Sequence, residues 1–379
     1  MIKTTVRELG RVVTGHTPPT TKKEYYGDKY LFLKPTDMVI GQKHAYTTEE
    51  GYSELAATKY KSSLIPKGST CVVCIGTLGE KMAMAHCDLF TNQSVNSIIP
   101  NDNYDPDYVY YLLKHNLHKV KALNKGTASG REFVSKTTFL DLEIEVIDNL
   151  NIQRKVSSIL SSFDDLIENN RKQIKLLEEA AQWLYKEWFI DLHFPGYETT
   201  PIHDGIPEGW RKEGLGGLAP IITGKKDANF GTEDGVFPFF TCAQEPIKAP
   251  SYSFDCNAVI LAGNGDFNVK IYRGKFEAYQ RTYVLSPKDD KHLFLLFHAV
   301  RGNMMHLFKA ASGSTIKFLT KGMLENIPVF VPSEDILNMY YAICEAIQCS
   351  IECLKQQISY SQEARNRLLP KLMNGEMEV

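Results

Sequence analysis

No run in this sequence approaches the roughly 18 consecutive apolar residues that a membrane-spanning helix needs. The opening MIKTTVRELGR also lacks the apolar core of a secretory signal. The expectation is a cytoplasmic protein with no membrane association. Nothing resembles a G-x-x-x-x-G-K-[ST] phosphate loop, an N-P-P-Y or D-P-P-Y string, or a G-x-G-x-x-G opening a strand and helix unit. The ten histidines form no i, i+4 pair, and the eight cysteines fall at irregular positions that make no disulfide framework. Cys71 and Cys74 lie in TCVVCIG, a β-branched run whose residues three apart point to opposite faces, so buried strand cysteines are expected there rather than zinc ligands. The glycine clusters IGTLGE (75–80) and AGNGDF (262–267) each follow a strand-like run and read as turns. Neither a metal, a cofactor nor a catalytic group is expected.

A basic excess is missing too. Lys and Arg number 43 against 45 Asp and Glu, a formal net charge of -2. Residues 1–150 carry 18 basic against 17 acidic side chains and residues 198–332 carry 15 against 14, while 151–197 carry 6 against 7 and 333–379 carry 4 against 7. The acidity therefore sits in the two segments that read as long helices. A near-neutral module binds nucleic acid only if its cations gather on one face.

What is present is a repeat. Phe133, Lys136, Leu142, Ile152, Glu178, Leu184 and Lys186 align without a gap, 185 residues on, with Phe318, Lys321, Ile327, Leu337, Glu363, Leu369 and Lys371. Upstream the offset becomes 187, where Val72, Gly76 and Gln93 meet Val259, Gly263 and Gln280, and 206 where Leu9-Gly10 meets Leu215-Gly216. Each copy is a domain-sized stretch followed by a long periodic helix. The first series runs Ile152, Val156, Ile159, Phe163, Leu166, Asn170, Ile174, Leu177, Ala181, Leu184, Trp188; the second runs Leu337, Tyr341, Cys344, Ile347, Ile351, Leu354, Ile358, Ser361, Arg365, Leu368, Leu372. Steps of three and four over about 37 residues predict helices of roughly 55 Å. Such a seam needs a partner, and the two helices are expected to pack as an antiparallel coiled coil, with Asn170 a possible register pin. Runs such as YLFLKP, STCVVCIG, SVNSIIP, FPFFT, NAVILAG and TYVLSP alternate with turn clusters before each helix. The fold class is therefore α+β: two similar α/β domains at 1–150 and 191–332, joined by long helices at 151–190 and 333–379.

The strings LGRVVTGHTP (9–18), LYKEWF (184–189), GIPEGW (205–210) and RLLPKLMNGEM (367–377), with SGREF and SGSTIKF before the two helices, resemble in their order the specificity subunit of type I restriction-modification systems. One departure is visible: the second copy begins LGGLAPIITGKK, without the TGHTP-like turn. The resemblance implies a non-catalytic subunit with two target-recognition domains. Each reads one half of a split, asymmetric double-stranded DNA target, the helices act as spacer, and modification and restriction/motor subunits are partners. A two-domain adaptor that binds proteins is the alternative, and a fused enzyme with an unrecognised site a more remote one.

Base edges are read by Arg, Lys, Asn, Gln and hydroxyls. Loop-like settings offer Lys34, Thr36, Asn92, Gln93, Ser94, Lys125, Ser129 and Arg131 in the first copy, and Thr241, Gln244, Asn264, Gln280, Arg281, Ser314 and Lys317 in the second. The recurrence of Gln93 and Gln280 suits a buried, fold-supporting amide, whereas positions that differ between copies, such as Arg131 against Ser314, suit specificity. Trp183, Trp188, Phe189, Leu369 and Leu372 crowd the helix ends as candidate partner contacts.

Overall fold

Two α-helices of 40 residues each, Leu150–Phe189 and Glu334–Met373, are the longest elements. Neither contains glycine, and the one proline, Pro370, lies in the last turn, so nothing interrupts the backbone ladder before it. The computed structural model describes residues 1–124, 132–265, 267–311 and 317–377. Their contacts divide the chain into unit 1, Met1–Gln173 with Leu354–Val379, and unit 2, Ile174–Cys353. Both divisions fall inside the long helices, so each unit is an α/β body together with a stretch of both helices. Among the described residues, no helix is long and apolar enough to cross a membrane.

In unit 1, Gly10–Thr14, Val95–Pro100, Thr70–Val73 and Met82–Met84 form a four-stranded antiparallel sheet in that order. Tyr26–Leu33 pairs antiparallel with Gly51–Tyr52 and parallel with Leu89–Thr91. Thr70–Val73 is buried along its whole length, as a β-branched run between two layers must be. Cys71 within it and Cys74 just after it fall into different core clusters, as residues on opposite strand faces do. In unit 2 a six-stranded sheet runs Ile221–Thr223, Thr282–Leu285, Phe254–Ala262, Val269–Ala278, Phe237–Phe240, Ile247–Ala249, and the helix Leu293–Ala310 packs on it. Each body is closed by an antiparallel strand pair, Ile2–Thr5 with Glu143–Val146 and Arg211–Gly214 with Pro328–Val331.

These pairings correct the alignment upstream of the helices. Val6 N donates to Leu142 O and Leu215 N to Ile327 O, so the first copy's Val6 matches Leu215 at an offset of 209, one helical turn from the expected 206. Cys74 matches Gly263 and Gly76 matches Gly265, two residues from the expected 187. A two-residue slip keeps every side chain on its face, which is why the pattern alone tolerates it.

Within unit 1, Val156 and Leu160 share a core with Leu369, Leu372 and Met373, Asp164 meets Arg365, and Asn170 Nδ2 donates to Gln357 Oε1 at 3.0 Å. Within unit 2, Leu177 lies with Ile343, Ala346 and Ile347, and Trp188 faces Tyr340 at 5.9 Å between ring centroids. In each unit one helix ascends as the other descends, the antiparallel pairing expected. The first seam needs correction at its start: Ile152, Ile159 and Leu166 are exposed, and the buried line includes Gln153, Val156, Leu160, Asp164, Ile167 and Glu168. Three of those six are polar, with dedicated partners in the body, and an apolar periodicity cannot see them.

Candidate nucleic-acid interface

The two bodies build the same turn. In unit 1 a parallel strand pair ends at Leu33 opposite Thr91, and Asn92 N donates to Leu33 O at 3.4 Å; in unit 2 the pair ends at Phe240 opposite Ala278, and Tyr279 N donates to Phe240 O at 3.0 Å. The turn closes through Val95 N to Asn92 O (3.1 Å) and Thr282 N to Tyr279 O (2.8 Å). It is anchored through Cys74 N to Ser94 O and Gly263 N to Arg281 O, both 2.8 Å. A glycine presses against it in both copies: Gly15 N donates to Val95 O and Gly224 N to Thr282 O, both at 3.2 Å. A β-carbon would lie 2.1 Å from Thr91 O at Gly15 and 1.9 Å from Ala278 O at Gly224, so no other residue fits without moving the turn. The second copy therefore keeps the Thr-Gly of the first, as Thr223-Gly224, and lacks the His-Thr-Pro that follows it in the first copy.

This geometry gathers most of the candidates. Lys34 and Thr36 follow the parallel strand of unit 1, and Asn92, Gln93 and Ser94 form its turn; Thr241 and Gln244 follow the matching strand of unit 2, and Gln280 and Arg281 lie on its turn. Asn264 pairs with Phe318 in a bridge that brings Lys317 to the same strand end. The Cys242 thiol donates to Asn264 Oδ1 at 2.6 Å, and Asn268 Nδ2 to Cys242 O at 3.1 Å, holding the Thr241–Glu245 loop to that end of the sheet. Lys125, Ser129, Arg131 and Ser314 lie outside the described residues.

Gln93 and Gln280 are both exposed, which overturns the expectation of a buried amide. Gln93 Oε1 accepts from Thr17 Oγ1 at 2.5 Å, a partner not anticipated from sequence. The recurrence reflects a shared turn position, not burial. Lys34 is committed to Glu49 and Glu50, each at 3.1 Å; burial draws its pKa down, but those hydrogen bonds hold it above the ordinary lysine value. Tyr283, beside Arg281, has its phenol pushed up by burial against the opposing pull of that guanidinium. Tyr279, Thr223 and Phe318 also belong to this region, and only the repeated Thr-Gly dipeptide signals it.

The helix-end candidates divide. Trp188 and Phe189 are 8% and 0% exposed in a core with Trp210 and Tyr340, and Leu369 and Leu372 are buried in the core of unit 1, so their apolar surface is already used within the chain. Trp183, by contrast, is 62% exposed.

The model of a family described as the type I restriction modification DNA specificity domain matches residues 2–179 and 207–347. The chain is 27% identical to the MjaIX type I restriction enzyme specificity subunit of Methanocaldococcus jannaschii, over 99% of the chain and 93% of that relative. It is 38% identical to the EcoDI specificity subunit of Escherichia coli over 45% of the chain, and that match spans 39% of the relative. A solved type I S subunit from M. genitalium has the same fold, with a TM-score of 0.60 at 19% identity, covering 98% of this chain and 96% of that one.

Proposed function

The chain belongs to the type I restriction-modification DNA specificity family, and from that membership we propose how its parts divide the work. It is the non-catalytic subunit that supplies the DNA address of a restriction-modification complex, while modification and restriction subunits supply the chemistry. Residues 1–150 and 191–332 are the two target-recognition domains, each reading one half of a split, asymmetric target, and the helices at 151–190 and 333–379 set the spacing. The reading places the chain in the cytoplasm.

The observation that carries this division is the twice-built turn: one backbone geometry with different side chains, as two readers of different half-sites require. Of the candidate contacts, those at the strand ends, Thr36, Asn92, Gln93 and Ser94 in one domain and Gln244, Asn264, Gln280, Arg281 and Lys317 in the other, are the ones we assign to DNA. Lys34, held by two carboxylates, is the weakest of the set. Trp183, with a large apolar surface left uncovered, is the helix residue we assign to a partner subunit.

The test is methylation mapping by long-read sequencing in cells carrying the chain and its modification partner, against cells lacking only the chain. A split, asymmetric methylated motif should vanish with the chain. Identical methylation in both would refute the assignment.

A further inference from the structure

At the tip of the turn the two domains agree in one exposed residue, Gln93 and Gln280, and differ at the next, Ser94 against Arg281. We propose that Arg281 reads a guanine in the half-site of residues 191–332, and that Ser94, at the same corner of the other domain, leaves its half-site without that requirement. The inference rests on the reading of the chain as a DNA specificity subunit, and it names the residue that makes the two half-sites unlike.

Three observations carry it. First, the backbone is fixed: Arg281 O accepts from Gly263 N and Ser94 O from Cys74 N at the same 2.8 Å, so both side chains leave from equivalent, anchored points. Second, the guanidinium of Arg281 is exposed and, among the described residues, makes no ion pair or hydrogen bond. Other arginines of the chain are committed: Arg273 to Glu345, Arg301 to Glu178 and Arg365 to Asp164. Third, Arg281 stands at a recess bounded by Thr223, Gly263, Tyr283 and Phe318, with Gln280 on its rim.

The chemistry selects the base. A guanidinium presents two parallel N–H donors, and guanine presents O6 and N7 as two acceptors side by side in the major groove. Lysine supplies the charge but not the fork, so it holds a phosphate by charge and a guanine less specifically. Serine, one hydroxyl on a short stem, accepts or donates to any base.

The experiment uses the chain with its modification partner and compares the methylated motif of wild type, Arg281→Ser and Arg281→Lys by long-read sequencing. Both variants should relax one guanine position in one half-site, discrimination falling about 5- to 150-fold, with the other half-site unchanged. If Arg281→Ser abolishes methylation, binding of the purified complex to duplexes varied at that position gives the same readout. A motif that stays sharp in Arg281→Ser overturns the proposal, because that base is then read without the guanidinium. So does an even loss over all sites with the motif unaltered, the mark of a phosphate contact, or a change confined to the other half-site. These results are distinct from failure of the specificity role itself, in which removing the whole chain leaves methylation untouched.

Discussion

In unit 1 the long helices add to their apolar contacts with the body three buried charges, Asp164, Glu168 and Arg365, none more than 7% exposed; in unit 2 the buried contacts centre on the rings of Tyr185, Trp188, Phe189 and Tyr340, and the ion pairs Arg273–Glu345 and Arg301–Glu178 are partly exposed. The charged set is saturated with partners. Arg365 reaches Asp164 and Gly41 O, Tyr111 donates to Asp164 Oδ2 at 2.6 Å, and His44 and Tyr46 both hold Glu168. The aromatic set interlocks with Phe194 and Trp210, and the Tyr340 hydroxyl meets His298 Nδ1 at 2.6 Å. A buried ion pair is favourable in one geometry and costly in any other, whereas apolar rings gain from any close contact. Unit 1 therefore specifies the register of its helices, and unit 2 supplies adhesive area.

The comparison breaks most readily at its strongest points. Truncating Phe189 to alanine empties the middle of the aromatic cluster and should destabilise unit 2 by about 3–5 kcal/mol. Hydrogen exchange followed peptide by peptide should show the loss in 174–353 and not in 1–124. Asp164→Ala should cost unit 1 about 3–5 kcal/mol by leaving Arg365 buried without its counter-ion, while Asp164→Leu combined with Arg365→Met should recover most of that. Recovery in stability with loss of a single helix register, read by cysteine cross-linking across the pair, would sharpen the contrast. A double variant as unstable as the single one would dissolve it.

Acid should separate the units as well. Burial, assisted by the positive charge of Arg301, pushes the His298 pKa from 6.5 down to about 3. The folded ring stays neutral where the unfolded one binds a proton, so this contribution is fully present above 6.5 and is lost as pH falls toward 3, by about 1.4 kcal/mol per pH unit. Glu168 behaves otherwise: burial raises its pKa, but hydrogen bonds from His44 and Tyr46 outweigh this and hold it below the ordinary 4.5. Its contribution is present above 4.5 and is lost only as pH falls through its depressed folded value. Replacing His298 with glutamine should flatten the slope of unit 2 stability between pH 6 and 4 and leave that of unit 1 unchanged; an unaltered slope would assign the effect to another group. The smallest effect is expected for Arg273→Ala, which removes a partly exposed pair with Glu345 and should cost about 1 kcal/mol or less.

Much of this architecture was legible in the chain. The repeat, the two helices and the strand runs follow from periodicity and turn chemistry, and Leu337, Cys344, Ile351 and Leu372 of the second seam are buried as expected. The first seam misled at Ile152, Ile159 and Leu166 because buried Asp164 and Glu168 read as surface residues until their distant partners Arg365 and His44, more than a hundred residues away, are known. Trp188 and Phe189 read as a partner surface for the same reason, since Trp210 and Tyr340 join them only through the fold. At the turn, candidate chemistry was visible residue by residue, but its assembly depended on Gly15 and Gly224, whose role is steric and leaves no trace in charge or hydropathy. Gln93 and Gln280 show the opposite failure, a recurrence that suggests burial when the shared quantity is a backbone position.

Unit 1 is made of the first 173 residues and the last 26, with the whole of unit 2 between them. On a ribosome, Arg365 follows Asp164 by 201 residues, a delay of about 10–40 s at ordinary elongation rates. Unit 2 is synthesised within that interval and has all its residues once Cys353 is added, whereas unit 1 still awaits Arg365, so the second module in sequence is the first to have its full set of residues. The nascent first module waits with an unmatched carboxylate at its centre, and a transcript cut short before Arg365 leaves that carboxylate unmatched for good. The late arginine thus ties the stability of the first module to synthesis through Arg365, and products that stop short of it should be marked for proteolysis by the module made earliest.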